Sequence, residues 1–288
     1  MSEDLKKVAN VMGWPINHSL SPRVHGYWIK KYGLNADYVA RAVKPGDLEQ
    51  TLRSLTAEYR KKGEVFRGTN LTIPLKETAL EIVDVLEPSA VRIGAVNTVV
   101  IGDKGELIGR NTDGVGFIDS LAEHIDIGQL NGGTAVILGA GGAARAVAMA
   151  LKDIDLAKIH ISNRSADRGE ALVAHVDDHA AYLPWDQRSD IMETADILVN
   201  TTSLGMSGQP PLEISLHKLK ETAVVSDIVY VPLETELLKE ARRRGNIAID
   251  GLGMLLHQAK AGFEAWFGVT PDVDDALRRY VLEGIGQK

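Results

Sequence analysis

Val136-Ile137-Leu138-Gly139-Ala140-Gly141-Gly142-Ala143-Ala144-Arg145 runs from an apolar strand through a glycine turn into an alanine-rich helix. Residues 139–144 fit G-x-G-x-x-G/A, with Ala where the helix packs on the strand. Glycine matters in such a turn because a dinucleotide pyrophosphate reaches the backbone only where no Cβ intervenes, and there it meets the positive end of the helix. A lone glycine turn is weak evidence. Here an apolar strand precedes it, a helix follows, and a second strand comes at 158–162, so Gly139, Ala140, Gly141, Gly142 and Ala143 are expected to line a cofactor site.

Downstream, the pattern is a regular alternation. Strands are expected at 135–138, 158–162, 197–200, 224–228 and 247–250, and helices at 142–152, 166–177 and 233–244. The strands are nearly continuous apolar runs, as in a parallel sheet covered on both faces. Upstream, residues 7–14, 22–32, 37–43, 46–62, 66–73 and 76–86 read as β-α-β-α-β-α. A hairpin of 96–101 and 107–110 turns at Asp103-Lys104-Gly105, and a helix over 112–124 leads out of this first part. Residues 254–267 and 273–283 have helical spacing. The expectation is an α/β chain of two domains: substrate binding over 1–110, a doubly wound Rossmann-type domain over 111–250, and C-terminal helices over 251–288 returning to the first domain. No internal repeat or low-complexity tract stands out.

The bulk numbers agree with this division. A chain of 288 residues exceeds the roughly 100–200 residues of a typical domain. The formal charge of −7 argues against nucleic acid or an anionic membrane as the main partner. Cysteine is absent, which excludes a disulfide framework, Cys-ligated zinc and a cysteine nucleophile. Met1-Ser2-Glu3-Asp4 is acidic and lacks a hydrophobic stretch, so no ordinary secretory signal is expected. The longest apolar run, 134–144, is too short for a bilayer. The expected location is the cytoplasm; the sequence is compatible with a homodimer without setting the oligomeric state.

Several other segments carry chemistry. The second strand of the dinucleotide unit ends in Ser162-Asn163-Arg164-Ser165 rather than in a carboxylate that would accept from a ribose 2′-hydroxyl. Arg164 and Arg168 suit a 2′-phosphate, so NADP is favoured, with Asp167 as the competing carboxylate and a solvated arginine pair as the plainer alternative. Ser19-Leu20-Ser21-Pro22 opens a helix; Ser21 serves as a cap, or the two hydroxyls hold a carboxylate, and both readings stand. Lys76 stands at the expected start of the 76–86 helix, where the macrodipole favours a neutral amine fit for proton transfer. The plainer alternative is a solvated lysine balanced by Glu77. Asn97 and Asn111-Thr112-Asp113-Gly114 flank the hairpin, where turn chemistry accounts for part of the pattern. His175 and His179 have i, i+4 spacing, but the glutamate of a zincin is missing, so no metal site is expected. There is no Gly-x-Ser-x-Gly elbow either.

Taken in order, Ser19-Leu20-Ser21-Pro22, Asn70-Leu71-Thr72-Ile73-Pro74-Leu75-Lys76, Gly94-Ala95-Val96-Asn97-Thr98, Asn111-Thr112-Asp113-Gly114 and the glycine turn resemble the shikimate dehydrogenase family. Later segments fit as well: Asn163-Arg164-Ser165, Asn200-Thr201-Thr202-Ser203-Leu204-Gly205-Met206, Asp227-Ile228-Val229-Tyr230, and Asp250-Gly251-Leu252-Gly253-Met254-Leu255 running into Gln258. The resemblance implies reversible, NADP-dependent oxidation of shikimate to 3-dehydroshikimate, a step of aromatic amino-acid biosynthesis. It assigns Lys76 as acid/base supported by Asp113. Ser19 and Ser21, with Tyr230, would hold the substrate carboxylate; Asn70, Thr72, Asn97, Asp113 and Gln258 would take the ring hydroxyls. Asn163, Arg164, Ser165, Arg168, Thr202 and Met254 would face the cofactor, with the backbone near Ile228 and Gly251 bordering its nicotinamide. Departures are few: Gly26 follows His25 where Asn is common, Ser165 replaces Thr, and Thr235-Glu236 replaces Thr-Pro. Two rivals remain at this level, a quinate/shikimate dehydrogenase using NAD and a module that binds both ligands without turnover. Retention of Lys76 and Asp113 speaks against the second.

Overall fold

The computed structural model describes residues 5–284, so the acidic opening Met1-Ser2-Glu3-Asp4 lies outside the described residues. The chain divides into two compact units, one of residues 1–112 and 256–288, the other of 113–255.

In the first unit the order is β1 (Lys6–Gly13), α1 (Ser21–Lys31), β2 (Ala36–Ala42), α2 (Leu48–Lys61), β3 (Glu64–Leu71), β4 (Val85–Leu86), α3 (Pro88–Ile93), β5 (Thr98–Ile101) and β6 (Leu107–Arg110). The sheet runs β2-β1-β3-β5-β6-β4. It is parallel through β2, β1 and β3, and antiparallel where β5 meets β3 and β6. The hairpin forms as expected, with Thr98 opposite Arg110, and Gly105 takes the φ of +87° that its turn needs. Leu48, Leu52, Leu55 and Tyr59 of α2 bury one face against Val8, Met12, Phe66 and Leu71 of the sheet. That i, i+3/i+4 stripe is what makes this polar segment a packed helix.

The helix expected over 76–86 does not form. Lys76 sits in a turn, followed by a single 3-10 turn, Thr78–Glu81, and then β4. The Lys76 carbonyl accepts the Val96 N–H at 2.8 Å, while the Leu80 N–H goes to Glu77 at 3.1 Å. The bond that an α-helix requires is therefore spent across the fold. Leu75, Ala79 and Ile82 are nonetheless buried in the core, so the apolar spacing marked the inward face and not the backbone path.

The second unit begins with α4 (Asp113–Ala122) and continues β7 (Thr134–Leu138), α5 (Gly142–Asp153), β8 (Lys158–Asn163), α6 (Ala166–Val176), β9 (Ala180–Pro184), β10 (Ile197–Asn200), β11 (Val224–Asp227), α7 (Glu236–Arg243) and β12 (Ile247–Ile249). Its sheet is wholly parallel in the order β12-β11-β10-β7-β8-β9. Counted within the unit this is 3-2-1-4-5-6 read from β9, the doubly wound dinucleotide topology, whose ligand crevice opens beyond the carboxyl end of β7. Val136, Ile137, Leu138, Leu198 and Val199 are fully buried, as continuous apolar runs covered on both faces must be.

α8 (Gly251–Phe267) and α9 (Asp275–Glu283) close the chain. α8 starts three residues before the expected 254. In the first unit, Trp266 donates its Nε1 to the Val99 carbonyl at 3.1 Å. Gly68 makes this approach feasible, since a Cβ there would lie 2.3 Å from that nitrogen and 2.1 Å from the carbonyl. Trp28 Nε1 donates to the Asp272 carbonyl, and Arg23 Nε to that of Tyr280, which seats the tail on α1.

Candidate active site

The glycine turn sits where β7 ends. Gly139 has φ +109°, and a Cβ on it would lie 2.6 Å from Thr201 Oγ1. Thr201 in turn donates its hydroxyl and its N–H to the Leu138 carbonyl, at 2.6 and 2.9 Å. A side chain at 139 is thus excluded by both conformation and space. Gly141 is the opposite case: a Cβ there would meet nothing within 4 Å. Gly141 is also the N-cap of α5 and supplies no side-chain cap, so the first N–H groups of that helix are presented without one. A pyrophosphate matches that need.

The crevice in front of the turn encloses about 500 Å³ open to solvent. Of the residues assigned to the cofactor it brings together Gly139, Ala140, Gly141, Asn163, Arg164, Arg168 and Thr202, but not Gly142, Ala143 or Ser165, and adds Trp185, Thr201, Ser203 and Leu204. Arg164 and Arg168 are exposed at the tip of β8 and the first turn of α6. Asn163 Nδ2 donates to the Ser165 carbonyl at 2.9 Å, holding the loop that carries them. Trp185 was hidden from sequence because β9 was; Asn163 pairs with Pro184, so Trp185 emerges next to Arg164. No carboxylate lines the crevice among these residues. A helix start without a side-chain cap, a turn of small residues and two guanidiniums together fit a dinucleotide bearing a 2′-phosphate.

Thr202 is fixed by Asn200, whose Oδ1 accepts its hydroxyl at 2.7 Å and its N–H at 3.1 Å. Asn200 Nδ2 donates to Asp227 at 2.9 Å, and Asp227 also accepts from Val229 N–H at 3.0 Å and Thr235 Oγ1 at 2.7 Å. Burial outweighs these three donors and raises the Asp227 carboxyl to about 6. Ile228 and Gly251 lie against each other: a Cβ at 251 would lie 2.1 Å from the Ile228 carbonyl. Tyr230 lies half-buried on the loop after β11, and Met254 is buried in α8. Asp113 is buried at the first position of α4.

In the first unit, Asn70, Asn97 and Gln258 share one hydrogen-bond network. Asn70 Nδ2 donates to the Asn97 carbonyl at 3.2 Å and to Thr98 Oγ1 at 3.0 Å. Asn97 Nδ2 donates to Thr112 Oγ1 at 2.9 Å and to Gln258 Oε1 at 3.4 Å, and Asn97 Oδ1 accepts the Thr112 N–H. Thr112 Oγ1 donates to the Gln258 carbonyl. Thr98 and Thr112 therefore belong to the same network, although sequence reasoning assigned them no role. Thr72 is half-buried, its N–H donating to the Met12 carbonyl at 2.9 Å.

Two local expectations are corrected. Ser21 does not cap α1: it is the first helical residue, Leu20 is the N-cap, and the Ser21 N–H donates to Ser19 Oγ at 3.3 Å. Lys76 is not at a helix start, so the macrodipole argument for its amine falls with the helix; a half-buried turn at the end of β3 carries it instead. Among the described residues no group of three or more His, Cys, Asp or Glu is placed to hold a metal ion.

Comparison with known proteins now bears on this geometry. Residues 11–99 match the shikimate dehydrogenase substrate binding domain, 120–231 the shikimate / quinate 5-dehydrogenase domain, and 251–278 the shikimate 5'-dehydrogenase C-terminal domain. The chain is 48% identical over 276 residues to the shikimate dehydrogenase (NADP(+)) of Paramagnetospirillum magneticum, covering 96% of this chain and 98% of that protein. A crystal structure of a shikimate dehydrogenase in complex with NADP+ superposes with a TM-score of 0.87 at 37% identity, covering 97% of this chain and 96% of the other. That of the Thermus thermophilus enzyme in complex with NADP(H) and shikimate gives 0.82 at 36%, covering 96% and 99%. With its glycine turn, its doubly wound sheet and its asparagine network in the family's order, the chain belongs to the shikimate dehydrogenase family.

Proposed function

We propose that this protein is an NADP-dependent shikimate dehydrogenase that interconverts shikimate and 3-dehydroshikimate in aromatic amino-acid biosynthesis. The observation that carries this is the near full-length identity to enzymes of that name, joined to a crevice whose ribose end presents Asn163, Arg164 and Arg168. NADP+ supplies the hydride acceptor. The residues of this chain bind, orient and move a proton.

Gly139, Gly141 and the first turn of α5 take the pyrophosphate, and Arg164 with Arg168 pairs the 2′-phosphate. Ser19 and Ser21 at the start of α1, with Tyr230, receive the substrate carboxylate. Asn70, Thr72, Asn97 and Gln258 take the ring hydroxyls. The shared network supports this, because side chains already locked by their neighbours lose little freedom on binding. Lys76 exchanges the proton of the reacting hydroxyl, and Asp113 supplies the supporting charge. Ile228, Gly251 and Met254 border the nicotinamide.

Among the described residues no helix is long and apolar enough to cross a membrane. We place the enzyme in the cytoplasm, with small molecules rather than nucleic acid as partners, and sedimentation distinguishes a monomer from a homodimer. Absorbance at the reduced-nicotinamide band, with shikimate or quinate and each of NADP+ or NAD+, tests the whole reading. Shikimate with NADP+ should give the highest kcat/KM; a preference for quinate or NAD+ would overturn the assignment.

A further inference from the structure

Tyr38 is buried on β2 (4% exposed), some thirty residues from the nearest of the side chains assigned to ring hydroxyls. Its hydroxyl donates to Asn70 Oδ1 at 2.6 Å. Burial pushes the phenol well above its usual value. Tyr38 therefore stays protonated and donates to a side chain on β3.

The Asn70 amide has one satisfactory orientation. Its Nδ2 faces the Asn97 carbonyl, which only accepts, and Thr98 Oγ1, whose own proton goes to Asn97 Oδ1 at 2.9 Å. The amide oxygen is left to face Tyr38. The phenol ring cannot swing away. His25 stacks on it at 3.9 Å with an interplanar angle of 10°, and Trp266 leans on it at 5.9 Å and 40°. Burial lowers the His25 imidazole to about 3, so this ring is a neutral plate at working pH.

We propose that Tyr38 is a positioning residue of the substrate site, whose hydroxyl fixes the orientation in which the Asn70 amide meets a ring hydroxyl of the ligand. The proposal rests on the shikimate reading above.

The test compares wild type with Tyr38→Phe and, as a control, Tyr59→Phe, which removes the phenol oxygen of another buried tyrosine, on α2 of the same unit. Binding of shikimate and of NADP+ is measured by calorimetry, steady-state kinetics are run at saturating NADP+, and melting temperatures are recorded. Loss of a neutral hydrogen bond of about 1 kcal/mol corresponds to about fivefold. Y38F should raise the Kd and KM for shikimate about five- to tenfold. The Kd for NADP+ and the kcat should stay within twofold, and Y59F should leave shikimate binding unchanged whatever its melting temperature. A Y38F enzyme with wild-type shikimate KM overturns the proposal while the enzyme assignment stands. So does a loss of both ligands in proportion to a lowered melting temperature, or an equal shift in Y59F. Failure of the wild-type protein to bind shikimate or turn it over overturns the functional reading, and this inference with it.

Discussion

Asp227 offers a stability test whose sign runs against the usual behaviour of carboxylates. It is fully buried, and burial raises its carboxyl from 3.8 to about 6 although three donors point at it. A folded state that binds the proton more tightly than the unfolded chain gains stability as pH falls. The contribution is complete below about pH 4 and is lost as pH rises through 6. A shift of about 2 units at about 1.4 kcal/mol each amounts to about 3 kcal/mol in full. About 2 kcal/mol of it should be present at pH 4.5 and almost none at pH 7.5. Asp227→Asn keeps the volume and removes the titration. Its amide oxygen still faces Asn200 and Val229, and the Thr235 hydroxyl can turn to accept from the new amide. Urea unfolding of both proteins, followed by circular dichroism from pH 4.5 to 7.5, isolates the group because other carboxylates cancel in the difference. Wild type should gain about 2 kcal/mol relative to D227N on acidification. A flat difference, or one that grows with pH, would mean that the three hydrogen bonds outweigh burial, and the argument from desolvation would fail.

Gly139→Ala forces a Cβ to within 2.6 Å of Thr201 Oγ1 at a φ of +109°; a cost of about 1–3 kcal/mol in unfolding and a KM for NADP+ raised tenfold or more are expected, and an unchanged KM would remove the turn from the cofactor site. Replacing Arg164 and Arg168 together by Ala should raise the KM for NADP+ thirtyfold or more and that for NAD+ by less than threefold, since charge-assisted bonds worth about 1.5–3 kcal/mol each are made only to the 2′-phosphate. Equal effects on both nucleotides would refute that assignment. Lys76→Met should cut kcat by a factor of about 10² or more with shikimate Kd, measured by calorimetry, within threefold; an undiminished kcat would take the acid/base role from Lys76.

Sequence was informative wherever one physical requirement governed a continuous stretch. The doubly wound unit could be read because strands buried on both faces must be apolar throughout, and because Gly139 answers a need of conformation and space that no other residue meets. The hairpin of β5 and β6 was visible through the turn at Gly105. The 76–86 segment failed for a definable reason. Leu75, Ala79 and Ile82 recur at helical intervals because one side of the segment faces the core. That spacing is equally served by a turn, a 3-10 turn and a two-residue strand once Val96 claims the Lys76 carbonyl. β9 escaped notice because Ala180-Ala181-Tyr182-Leu183-Pro184 is mostly half-buried and ends in proline, and with it went Trp185.

The candidate site divides along the same line. Residues proposed to meet a ligand stood out, because amides, hydroxyls and a lysine in short ordered motifs are chemically conspicuous. Those that hold them did not. Tyr38 lies in a strand whose aromatic ring accounts for itself as core, and nothing within ten residues of it needs its hydroxyl; the need arises at Asn70, on another strand. Thr112 likewise reads as part of a turn until Gln258, 146 residues on, supplies the carbonyl that its hydroxyl bonds. A buried polar atom is explained by its partner, and when that partner is distant in sequence the explanation exists only in the folded chain. The side chains most exposed to misassignment from sequence are thus the buried polar ones that contact no ligand, and hydroxyl deletions such as Tyr38→Phe and Thr112→Val are the substitutions by which such roles become measurable.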